Sequence, residues 1–77
     1  MANKAETLMY IRAKFVTGMA AGDRFDALTA AVAALRRLDG SDVHQACKTV
    51  THWAVQEGFI PEQLEDHAEK RAEEITS

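Results

Sequence analysis

Seventy-seven residues, 47% of them apolar and 27% charged, make a chain that can bury one modest core as a single domain. A single Cys excludes an internal disulfide and no apolar run approaches the ~20 residues of a membrane span, so the expected setting is the cytoplasm, and the opening MANKAETL carries no signal-peptide apolar region. The net charge of −3 divides unevenly: residues 1–38 hold six basic and three acidic groups, residues 39–77 three basic and nine acidic, so opposed halves can attract within one chain or between two copies.

A first helix is predicted over about residues 4–21, with Leu8, Ile11, Phe15 and Met19 along one face and Met9 and Val16 at its edge. Arg12 projects into the same arc. It either lays its stem over apolar surface with the guanidinium in water, or pairs with Glu57 near the apolar face of a later helix. Gly18, inside the helix, allows close packing. Gly22 ends the helix and Asp23 is placed to cap the next, with Asp26 three residues on as an imperfect capping box.

The second helix is expected over about 23–38, with Phe25, Leu28, Val32 and Leu35 as its strong face, flanked by Ala31 and Leu38. Ala27, Ala30, Ala33 and Ala34 leave its other faces small, so it can be approached from two sides. Arg36 and Arg37 complement the negative end of its dipole. The tight link from Leu38 to Ser41 implies an antiparallel pairing of the second and third helices.

The third stretch, about 41–57, holds the only Trp, the only Cys and two of the three His. Ser41 is the expected N-cap and Asp42 favours the positive end of the helix. Val43, Ala46, Cys47, Val50, Trp53 and Ala54 share one face, while Gly58 stops the helix and Phe59 folds back on it. Trp53 is the expected core anchor, and truncating a buried Trp costs about 3–5 kcal/mol. A fourth helix is expected over about 61–75, started by Pro61 and the acids Glu62, Glu65 and Asp66. Its apolar stripe is narrow: Leu64, Ala68, Ala72 and Ile75. Such a stripe packs marginally or waits for a partner.

The expected fold is therefore an all-α domain of four helices, the last packed more weakly. Its expected core is Leu8, Phe15, Val16, Met19, Phe25, Leu28, Val32, Leu35, Val43, Val50, Trp53 and Phe59.

Chemistry is thinly signalled. His44 and Cys47 lie three residues apart on one helix, but zinc needs three or four converging ligands. His52 points away from both, no acid or second Cys completes a site within that helix, and His67 would have to be brought in by folding. Cys47 sits on an apolar face, where a thiol is inert packing rather than a nucleophile. No catalytic triad order or glycine-rich phosphate loop is present, so neither an enzyme, a metal nor a cofactor is expected.

Two binding functions compete. In a nucleic-acid-binding regulator, Lys14, Arg24, Arg36 and Arg37 would contact phosphates, although the third helix offers Asp42 and Glu57 against one Lys48. In a protein-binding module, the alanines at Ala30 and Ala34 would meet a second copy. The acidic run Glu62, Glu65, Asp66, Glu69, Glu73 and Glu74 would face a basic partner. The second is the leading expectation: a non-enzymatic inhibitor or adaptor, dimeric, docking on a larger protein. Compact helical chains of this type occur among bacterial and phage accessory proteins, which is a likeness of type and does not establish function.

Overall fold

The four expected helices form, with ends shifted by local capping chemistry. The computed structural model describes residues 3–77 as α1 (Lys4–Ala20), α2 (Arg24–Asp39), α3 (Val43–Gln56) and α4 (Glu65–Thr76), with a 3-10 turn at Glu62–Leu64 leading into α4. Asn3 caps α1: its side-chain oxygen accepts from the Glu6 backbone N–H at 2.8 Å. The N-cap of α3 is Asp42 rather than Ser41. Asp42 accepts from the Gln45 N–H at 2.8 Å, while Ser41 donates its backbone N–H and hydroxyl to Asp39 in the turn before. Those bonds, the hydroxyl's first, hold the Asp39 carboxyl below its ordinary pKa.

The other starts also differ from expectation. Asp23 stands at the N-cap of α2 but makes no side-chain cap bond, so the imperfect capping box with Asp26 does not form. Pro61 stays extended, with ψ 144°, and its carbonyl accepts the Leu64 N–H that closes the 3-10 turn. α4 therefore begins at Glu65.

At the end of α3, Gly58 takes a left-handed φ of 82°, and the Phe59 N–H reaches back to the Ala54 carbonyl at 2.9 Å. This turns Phe59 onto the core as expected. Gly40 does the same work between α2 and α3 with φ 71°.

α1 packs most extensively on α2, and α3 on α4; α2 joins the two pairs by packing on α3, with α4 also touching α2. Phe15 and Trp53 form the aromatic centre, with ring centroids 6.2 Å apart and planes tilted by 48°. Around them lie Ile11, Met19, Val32, Leu35 and Val50, closed by small groups at Ala31, Ala46, Cys47, Ala54 and Ala72. Two expected core residues are on the surface: Leu8 is 38% exposed and Phe25 is 61% exposed. Leu8 lies in the second turn of α1 and Phe25 in the first turn of α2, and the rest of the fold leaves both uncovered. Val16, Leu28, Val43 and Phe59 pack at the core's margin, half-buried. Arg12 does not pair with Glu57; it donates through Nη2 to Gln56 Oε1 at 3.3 Å, which joins α1 to the end of α3.

Gly18 sets how near α1 and α2 come. A Cβ placed on Gly18 would stand 2.7 Å from the Ala27 Cβ, a group fixed to its own backbone. Overpacking of this kind costs about 1–3 kcal/mol, whereas Ala for Gly in a helix returns up to about 1 kcal/mol. Gly18→Ala is therefore expected to lower stability by about 1 kcal/mol in urea unfolding, and Gly18→Val by more. Adding Ala27→Gly should remove the overpacking part of the Gly18→Ala loss. A Gly18→Ala variant more stable than the native chain would show that the helices separate there without cost.

Candidate functional site

Three surface features bring chemistry together. The first is a groove of about 420 Å³ along the outer side of the α1–α2 pair. Its α2 wall is built by Asp23, Ala27, Ala30, Ala34 and Arg37, which recur at alternating four- and three-residue steps and so fall on one side of the helix. Ala30 is exposed and Ala27 and Ala34 are half-buried. Across from them, α1 contributes Gly18, Lys14 and Tyr10, the last 62% exposed. Lys14 Nζ lies 5.5 Å from the centre of the Tyr10 ring, a cation–π approach that steadies the ammonium at the groove's edge. Buried Ile11, Phe15 and Ala31 also line the groove, with Asp23 and Asp26 toward the start of α2 and Arg37 toward its end.

The second groove, about 350 Å³, opens where α4 leans on the remaining helices. Met19, Leu28, Val50 and Ile60 line its apolar part, and Arg24, His67 and Arg71 also border it. Arg71 has a long ion pair with Glu74 at 3.8 Å, both groups largely exposed, which contributes little to stability.

The third is the seam between α3 and α4. His52 Nδ1 lies 3.5 Å from Glu65 Oε2, near the start of α4. His44 Nδ1 lies 2.8 Å from Glu73 Oε1 and 3.5 Å from Glu69 Oε1, toward its end. A late residue of α3 meets an early residue of α4 and an early one meets a late one, so the two helices run antiparallel. Cys47, on the buried side of the same seam, has its Sγ 3.2 Å from Thr76 Oγ1. Burial, above all, pushes its thiol pKa up and keeps the sulfur protonated and unreactive.

These positions regroup the residues that the sequence marks out. Ala30 and Ala34 line the first groove together with Lys14 and Arg37, while Arg24 lines the second and Arg36 lines neither. The acidic run is split. Glu65, Glu69 and Glu73 turn toward the histidines of α3, leaving Glu62 and Asp66 on the exposed side and Glu74 beside Arg71. Tyr10, His67 and Arg71 are not marked out by the sequence as surface-forming residues. The alternating spacing from Asp23 to Arg37 is the one signal that could have located the first groove.

The His44 pairing makes the α3–α4 seam pH-dependent. The hydrogen bond to Glu73 raises the His44 pKa above its ordinary value, helped by the charges of Glu73, Glu69 and Asp42. A histidine with a folded pKa above its unfolded one stabilises the fold fully below the unfolded value of about 6.5, and that contribution is lost as pH rises through the folded value. Thermal unfolding followed from about pH 6 upward should show a decline that His44→Gln flattens. An NMR titration of His44 that finds its pKa at or below the ordinary value would remove this effect.

Compared with known proteins, the chain matches no family model, no curated protein and no solved structure.

Proposed function

We propose that the protein is a non-enzymatic protein-binding module that pairs with a second copy of itself through the α1–α2 groove and acts on a larger protein as an inhibitor or adaptor. The observation that supports this reading is the self-complementary layout of the groove. Asp23 and Arg37 each stand seven residues, two helical turns, from Ala30 on the same side of α2. A two-fold axis through Ala30 therefore sets Asp23 of each copy at the level of Arg37 of the other. Isologous pairing of this kind uses one surface twice and closes on itself. Alanine at Ala27, Ala30 and Ala34 lets two such helices approach closely, and Tyr10 supplies an aromatic group at the edge, a type enriched in interfaces.

Light scattering on a sizing column should give a dimer at low salt that persists, somewhat weakened, at high salt. Ala30→Glu, which sets two like charges against each other across the axis, should give a monomer. Asp23→Arg should weaken the dimer and Asp23→Arg with Arg37→Asp should recover it. A monomer in the native chain at every concentration and salt would end this reading.

A second reading, a small nucleic-acid-binding regulator, draws support from Lys14 and Arg37 lining one groove. Asp23 and Asp26 line that groove too and would repel phosphates. Under this reading DNA retention falls steeply with salt and drops when Arg36 and Arg37 are both replaced by Ala; retention unchanged in that double variant would remove the two arginines from it.

A further inference from the structure

We propose that His44, Glu69 and Glu73 form a binding site for one divalent transition-metal ion of the Zn²⁺ class, which would clamp α4 to α3. The three ligand atoms, one imidazole nitrogen and two carboxylate oxygens, all lie within 4.8 Å of one another. The distances from His44 Nδ1 are 2.8 Å to Glu73 and 3.5 Å to Glu69. An ion bound at about 2.0–2.2 Å in tetrahedral geometry holds its donors roughly 3–3.5 Å apart, so small side-chain rotations close the triad around it.

The donors come from two helices, which sets them apart from an ordinary solvated acidic run. α4 supplies Glu69 and Glu73 one turn apart on one side, and α3 supplies the imidazole. Docking of α4 also holds the carboxylates inward: the Glu69 side chain is only 13% exposed and that of Glu73 30%, whereas Glu74 of the same run is 70% exposed. His44 is 56% exposed, which leaves the fourth position open to water.

The donor set also selects the ion. Imidazole with two carboxylates suits Zn²⁺ and its neighbours, and the two negative charges neutralise the ion. Mg²⁺ and Ca²⁺ seek six or more oxygen ligands and find too few here. The molecule carries its own control in His52, which meets the single acid Glu65. Cys47, although near in sequence, is turned away onto Thr76 and takes no part.

The test uses the full chain without an affinity tag, titrated with Co²⁺ in a non-chelating buffer and followed by visible absorption, then with Zn²⁺ in competition. One Co²⁺ per chain should bind saturably and be displaced by Zn²⁺, and Zn²⁺ should raise the unfolding midpoint where Mg²⁺ and Ca²⁺ do not. Loss of an outer-shell partner already weakens metal binding about 10–100-fold, so His44→Gln, Glu69→Gln and Glu73→Gln should each lose at least that, with His52→Gln unaffected. Absence of saturable binding, or undiminished affinity in His44→Gln, would overturn the proposal. Should a variant fail to fold, NMR of the native chain decides: Zn²⁺-induced shifts must centre on His44, Glu69 and Glu73, and shifts centred elsewhere refute the site.

Discussion

The structure depends on how closely small residues let its helices approach. Among the described residues, twelve form the buried apolar core, and four of them are alanines. Alanine and cysteine bury little area each, so the core gains its cohesion from proximity, with Phe15 and Trp53 filling the space that remains. At Gly18 the approach is limited by the Ala27 methyl group, which leaves no room for a side chain there. A chain of this size cannot cover all of its large apolar groups in such an arrangement. Met9, Tyr10, Phe25 and Leu64 stay at least half exposed as a result.

α4 shows the other side of this constraint. Ala72 is its only buried residue, and no other helix of the fold buries so little. Along its polar edge Glu65, Glu69 and Glu73, each one turn from the next, meet His52 and His44 of α3. Apolar contact places α4 against the bundle, and the histidine pairs lie along the edge that this docking brings together. The same inward turn of three acids leaves the outer side of α4 less negative than its composition implies.

Much of the architecture was legible in the sequence, because apolar periodicity and glycine positions report directly on local structure. The stops at Gly22, Gly40 and Gly58 each carry the left-handed backbone that a helix end favours. Helix starts were less legible. Ser41 and Asp42 are adjacent and both competent to cap, and only the competing turn bonds from Ser41 to Asp39 decide between them. Leu8 and Phe25 fit the apolar stripes of their helices, but a stripe does not say which of its members the rest of the fold covers. The surface features were least legible. Bringing Glu69 and Glu73 to His44 requires the pairing, direction and rotation of α3 and α4 together, and no spacing within either helix encodes that.

The Cys47 thiol has a consequence of its own. It is fully buried, and its Sγ meets Thr76 Oγ1 at the end of α4. The sulfur is reached only when its surroundings open, and α4, which carries Thr76 and buries one residue of its own, is the most weakly buried of the four helices. The chain thus contains a built-in clock for local opening. The speed at which its lone sulfur is modified, set against the rate of global unfolding, tells opening around this thiol from loss of the whole fold, without any added label.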